Sequence, residues 1–252
     1  MRKTTAIILG AGKSTRMGSD LPKVLHALCG KPLLFYALDA CRKAGSGQVN
    51  VVVGFQKGRV TEAFAGDSDI TWVDQTEQLG TGHAVMACQE VLESFEGDVL
   101  VIAGDMPLVR AETLTELLRV HRSENAVVSL ATARLDDPAG YGRIIRDDRG
   151  RLSRIIEHDN CNDEQKRINE VNISYYCFDC QALFEPLRRL QPDSGKGEYY
   201  ITDVIEILIA DGGRSAILPD VSPEDGLGVN TPQDLVQVET LMQRRISNLQ
   251  AI

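Results

Sequence analysis

The chain has 252 residues, 43% hydrophobic and 25% charged, a soluble globular composition whose core is large enough to hold without disulfide or metal staples. Its formal net charge of −9 opposes general binding to nucleic acid or anionic membrane, and an aromatic content of 5% argues against a base-stacking surface. No apolar run approaches the roughly 20 residues of a bilayer span, the N-terminus has no signal-peptide core, and Cys29, Cys41, Cys88, Cys161, Cys177 and Cys180 lack disulfide-framework spacing, so the chain reads as cytoplasmic.

Through the first 130 residues, short β-branched runs predict strands at 5–9, 49–53, 70–73 and 99–103, alternating with helices at 32–44, 57–65 and 82–92. Strands apolar on both faces and separated by helices indicate a mainly parallel, Rossmann-like α/β sheet covered on both sides, with ligands bound beyond the carboxyl ends of its strands. After about residue 125 the texture changes to strands at 126–133, 142–146, 152–157 and 171–178, with Gly150 marking a hairpin. These extend the same sheet in mixed fashion as the far wall of a cleft. Helices follow at 182–189, 202–211 and 232–249, the last opened by Thr231-Pro232-Gln233-Asp234 as cap, helical proline and first-turn acid. Residues 1–230 are read as one domain made of two halves that meet at about residue 125. Residues 231–252 form its C-terminal helix, whose stripe Leu235, Val238, Leu241 and Met242 packs on its own domain. Oligomeric state stays open.

The charge is uneven: residues 1–31 carry Arg2, Lys3, Lys13, Arg16, Lys23 and Lys31 against Asp20 alone, a local excess of +5. Within that basic end lies Leu9-Gly10-Ala11-Gly12-Lys13-Ser14-Thr15-Arg16-Met17, followed by Pro22-Lys23. A strand running into glycines lets backbone amides cradle phosphate oxygens, while Lys13, Arg16 and Lys23 bring mobile positive charge. The segment is not a P-loop, because Ile7 stands where that motif needs glycine. It is not a dinucleotide fingerprint either, because Thr15 takes the place of the third glycine.

Three more stretches stand out. In Gln75-Thr-Glu-Gln-Leu-Gly80-Thr81-Gly-His83, the Gln75 amide suits the donor and acceptor edge of uracil, although the stretch also reads as a plain loop before a helix. Asp105 follows the buried run Val99-Leu-Val-Ile-Ala-Gly, where it can reach a cation shared with triphosphate oxygens or cap the next helix. Gly140-Tyr-Gly142-Arg, Ile155-Ile-Glu157-His158, Glu170-Val-Asn172 and Gly197-Glu-Tyr-Tyr-Ile-Thr-Asp203 make up the last.

Taken together, Gly-x-Gly-x-x-Ser/Thr-Arg-Met, Pro-Lys and these later stretches resemble the sugar-1-phosphate nucleotidyltransferase family. The similarity is greatest to the uridyltransferase domain of bacterial bifunctional N-acetylglucosamine-1-phosphate uridyltransferases, from Thr5 to about Gln243. The resemblance implies a nucleotide-diphospho-sugar transferase fold and uridylyl transfer from UTP to N-acetylglucosamine 1-phosphate. It further implies Arg16 and Lys23 as catalytic residues and Leu9, Gly10, Ala11, Gly12, Gln75, Gly80 and Thr81 around the nucleotide. Gly142, Glu157 and Asn172 would hold the sugar, and Asp105 and Asn230 would hold Mg²⁺. The hexapeptide repeats of the family's acetyltransferase β-helix are not found in the 252 residues, so that activity is not expected of them.

Two departures leave the sugar open: Asp159-Asn160 follows Glu157-His158 where the family has Lys-Asp, and Ile173-Ser174 follows Asn172 where it has Thr-Gly. Another hexose 1-phosphate such as glucose, or dTTP in place of UTP, is the alternative within the same chemistry. A non-catalytic nucleotide-sugar-binding module is the alternative outside it. His158-x₂-Cys161 and Cys177-x₂-Cys180 have zinc-like spacing, but cysteines straddling a strand end suit packing better.

Overall fold

The computed structural model describes residues 2–13, 15–193 and 195–250; Ser14 of the glycine-rich segment lies outside the described residues. The first half comprises β1 (Lys3–Leu9), the short hairpin β2 (Ala27–Leu28) and β3 (Lys31–Pro32), α1 (Leu33–Lys43), β4 (Val49–Val53), α2 (Lys57–Ala63) and β5 (Ile70–Asp74). It continues with α3 (Thr81–Met86), α4 (Gln89–Leu92), β6 (Gly97–Ala103) and α5 (Ala111–Ser123). The second half comprises β7 (Val128–Arg134), β8 (Arg143–Arg146), β9 (Leu152–Ile156), β10 (Glu170–Asp179), α6 (Cys180–Leu187), α7 (Ile201–Ala210), β11 (Ser215–Leu218) and α8 (Pro232–Gln250).

The main sheet runs β11-β7-β10-β6-β1-β4-β5, with the β8–β9 hairpin attached through β10. β1, β4, β5 and β6 are mutually parallel, while β10 lies antiparallel between β6 and β7. The period-two geometry of a strand sends alternate residues to opposite faces, and both faces here are apolar. Ala6, Ile8, Leu100, Ile102, Tyr175 and Cys177 meet α1, α2 and α5 on one side. Ile7, Val99, Val101, Tyr176 and Phe178 meet α3, α4, α6 and α7 on the other. A third cluster seats the stripe of α8: Val238 and Met242, with Leu235 and Leu241, pack on Met17, Leu28, Leu33, Leu108 and Val229 of the same chain.

The expected helix at 82–92 is interrupted: α3 and α4 are separated by Ala87 and Cys88, whose apolar side chains hide the break in the pattern. The segment between β6 and β7, without an expected element, forms α5, and a four-residue edge strand, β11, also unexpected from the sequence, follows Gly212-Gly213. From β1 the chain runs outward through β4 to β5, then returns to lay β6 on the other side of β1. The loops leaving β1 and β6 therefore diverge, opening a crevice at their carboxyl ends.

Candidate active site

Three backbone ties close the floor of that crevice: Gly10 N–H donates to Val52 O (2.9 Å), Gly104 N–H to Leu9 O (2.9 Å) and Phe55 N–H to Ala11 O (3.3 Å). The Gly10 amide is thus spent on the sheet. Ala11, Gly12 and Lys13 keep theirs unbonded among the described residues, a set of donors for an anion. Lys13 itself stands over the Phe55 ring, 5.9 Å from its centroid.

Two adjoining cavities of about 480 and 610 Å³ occupy the crevice and share Arg16, Ala103 and Asp105 as lining. The first is lined by Leu9, Gly10, Ala11, Gly12, Lys23, Gln75, Gly80 and Thr81; the second by Gly142, Glu157, Asn172 and Asn230. Every site residue expected from the sequence therefore faces one continuous space.

Where the cavities meet, the Lys23 ammonium donates to Asp105 Oδ2 and to Asn230 Oδ1, each at 2.8 Å, and Arg16 also donates to Asn230 Oδ1 at 3.0 Å. Lys23 opens a 3₁₀ turn after Pro22, and buried Val24 roots that turn. Asp105 lies two residues beyond β6. Asn230 is presented by the helix cap: Asp234 Oδ2 accepts from the amides of Asn230 (2.9 Å) and Thr231 (2.8 Å), and Thr231 Oγ1 accepts from the Asp234 amide (3.2 Å). Val229 N–H donates to Asp105 O at 2.9 Å, which stitches the two oxygen-bearing loops together.

In the first cavity, the buried Gln75 side chain donates through Nε2 to Gly80 O (3.1 Å) and to His83 Nδ1 (3.1 Å). Its donor half is therefore occupied, and Oε1 is the group with no bonded partner among the described residues. Gly80 has φ +99°, and a Cβ there would stand 2.6 Å from Tyr199 O. Gly80→Ala is expected to cost about 1–3 kcal/mol from backbone strain alone and to weaken nucleotide binding more than sugar binding. Thermal melting together with UTP and sugar-phosphate titrations checks this.

In the second cavity, a Cβ on Gly142 would meet Ile155 at 3.0 Å and approach Glu157 Oε2 at 3.6 Å. Glu157 accepts from Thr202 Oγ1 (2.9 Å), and Asn172 donates to the buried Tyr176 hydroxyl (2.6 Å) while accepting from the Ser174 amide (3.0 Å). In the sequence Thr202 and Tyr176 read as helix and strand residues only; a threonine opening a helix and a tyrosine inside an apolar strand carry no signal of the carboxylate and amide they orient. Ser174, at φ +58°, sits left-handed where the family motif has glycine. The positive charge that the Glu157-His158-Asp159-Asn160 segment lacks comes from elsewhere, since Lys196 pairs with Asp159 at 2.7 Å and bears on Glu157.

Burial pushes the Glu157 carboxyl up, against the Thr202 hydrogen bond and the Lys196 charge. Burial, reinforced by the negative charge of Glu157, lifts Asp203 to about 6. A carboxyl whose pKa is higher folded than unfolded holds more protons in the native state, so stability falls as pH rises from about 4 through about 6. Asp203→Asn is therefore expected to stabilise the protein at pH 7.5 by about 1–2 kcal/mol after solvent screening. The gain should vanish as the pH approaches 4, which melting curves across pH check.

The zinc-like quartet does not converge. Cys177 and Cys180 belong to clusters on opposite faces of the sheet, Cys161 Sγ lies 3.4 Å from Glu157 O, and His158 faces Arg143. Among the described residues no three His, Cys, Asp or Glu side chains gather as a metal cluster, and no helix is long and apolar enough to cross a membrane.

Residues 6–201 match the MobA-like NTP transferase domain family. The chain is 40% identical over 247 residues to the bifunctional protein GlmU of Geotalea daltonii, covering 98% of this chain and 54% of that protein. It is 42% identical over 243 residues to the bifunctional protein GlmU of Clostridium botulinum, covering 96% and 53%. The chain thus spans about half the length of the curated relatives it matches. Its fold matches a UDP-glucose pyrophosphorylase solved with UDP-glucose, at TM-score 0.76 and 17% identity, covering 97% of this chain and all of that one.

Proposed function

The chain belongs to the MobA-like NTP transferase family, a family of nucleotidyltransferases, and from that premise we propose that it transfers the uridylyl group of UTP to N-acetylglucosamine 1-phosphate, giving UDP-N-acetylglucosamine and pyrophosphate. The observation that carries this reading is the Lys23 ammonium held between Asp105 and Asn230 at the junction of two cavities. In this reading the first cavity, built mainly from residues before about 125, takes the nucleotide, and the second takes the sugar. The 40% identity to a GlmU protein supports the choice of substrates.

The oxygen of the sugar phosphate attacks the α-phosphorus of UTP. A P–O bond forms as the bond to the β-phosphate oxygen breaks, and pyrophosphate leaves with that electron pair. A phosphate dianion is already nucleophilic, so the site needs no general base; it has to align two polyanions and neutralise them. Ala11, Gly12 and Lys13 amides, Arg16 and Lys23 do the second task, with Lys23 and Arg16 placed between the cavities to meet both phosphates.

The donor set fits a hard divalent cation: one carboxylate and one amide oxygen converge on a point that the Lys23 ammonium, itself a cation, contacts at 2.8 Å from each. Mg²⁺ held by Asp105 and Asn230 supplies Lewis-acid neutralisation of phosphate oxygens when bound. On the sugar side, buried polar partners discriminate hydroxyls, because a mismatched sugar leaves Glu157 or Asn172 unsatisfied. Pyrophosphate release from UTP that requires the sugar phosphate tests the reaction; nucleotide binding without release identifies a binding module.

A further inference from the structure

Asp105 and Asn230 sit on loops far apart in sequence, and one ionic cluster built around the buried Asp225 joins both loops to α8. Asp225, fully buried, accepts at Oδ2 from Thr113 Oγ1 (2.8 Å) and Arg110 Nε (3.0 Å), and at Oδ1 from Arg245 (3.1 Å). Its carbonyl accepts from the buried Tyr175 hydroxyl. Arg245, from α8, uses its other terminal nitrogen on Leu108 O (2.6 Å), three residues after Asp105. One guanidinium thus grips the Asp105 loop through Leu108 and the Asn230 loop through Asp225.

Helix α8 does not need this clasp to stay in place, since its apolar stripe and its capping box already anchor it. Nor is a buried ion cluster an economical way to stabilise a fold, because desolvation offsets most of the attraction and apolar substitutes serve as well. What a planar, two-pronged guanidinium adds is a fixed distance between the groups it joins.

We propose that Arg245 and Asp225 are positioning residues that set the spacing of the Asp105 and Asn230 oxygens, making α8 a working part of the cation and phosphate site. This rests on the reading that those oxygens hold a divalent cation beside UTP.

The test compares wild type, Arg245→Met and Arg245→Lys by two readouts: Mn²⁺ binding in the presence of UTP, followed by electron paramagnetic resonance, and UTP binding in EDTA by calorimetry. Arg245→Met keeps the aliphatic stem but loses the clasp, and its Mn²⁺ affinity should fall about tenfold. UTP affinity in EDTA should stay within about twofold, because base and loop contacts are untouched. Lysine, with one compact ammonium in place of a fork that serves Leu108 O, Glu224 and Asp225, should recover only part of the loss. If Arg245→Met does not fold, Arg110→Met, which removes a half-exposed prong of the same cluster, should shift Mn²⁺ affinity in the same direction. Unchanged Mn²⁺ affinity in a folded variant overturns the proposal alone. Absence of UTP-dependent Mn²⁺ binding in the wild type overturns the underlying reading and the proposal with it.

Discussion

Asp105→Asn is expected to lower kcat about a thousandfold while leaving the melting temperature almost unchanged. The substitution keeps the size of the side chain and removes the charge that faces the Lys23 ammonium. Lys23 would then face two neutral amide oxygens, at positions 105 and 230, and the proposed cation would lose its one anionic ligand. Stability should hold because the Lys23–Asp105 pair is partly solvated, with 17% and 21% of the two side chains exposed, and such pairs contribute little to folding. Pyrophosphate release measured beside a thermal melt separates the two effects; comparable losses in both would make Asp105 a structural residue.

Lys23→Ala should depress turnover by about two to four orders of magnitude, again without unfolding the chain. Among the described residues Lys23 is the one side chain that touches both Asp105 and Asn230, whereas Arg16 reaches Asn230 alone, so no described neighbour inherits its place. Its backbone is held independently by buried Val24, which limits the structural cost. Arginine at position 23 should restore little, since a planar fork cannot put one compact charge between two oxygens. Single-turnover rates at saturating substrates check this, because they exclude a change in binding. Wild-type turnover in Lys23→Ala would remove the residue from the reaction.

The sequence made legible the parts of the site that depend on local chain chemistry. Gly10-Ala-Gly12 after an apolar strand, Asp105 after another, and Asn230 before a threonine-proline cap each carry a local pattern, and the structure brings all three together. What escaped depends on contacts between distant segments. Tyr176 reads as a core residue of β10; its hydroxyl meets the Asn172 amide across a register shift that the apolar pattern does not reveal. Asp225 reads as an acid in a loop, and its burial arises because Arg110, Thr113 and Arg245 come from α8 and the start of α5. Helix α5 has a period-3.6 stripe in Leu114, Leu117, Leu118 and His121, yet its charged face masks the signal. The missing positive charge beside Glu157 is a sequence-local inference, and Lys196 supplies it from a segment distant in sequence.

The central claim is uridylyl transfer to N-acetylglucosamine 1-phosphate. Its most direct test is kcat/KM for pyrophosphate release over a panel crossing UTP and dTTP with the 1-phosphates of N-acetylglucosamine, glucose and galactose. UTP with N-acetylglucosamine 1-phosphate is expected to lead each other pairing by about tenfold or more, with UDP-N-acetylglucosamine formed mole for mole with pyrophosphate. A higher kcat/KM for glucose 1-phosphate would contradict the substrate, and no pyrophosphate from any pairing would contradict the reaction.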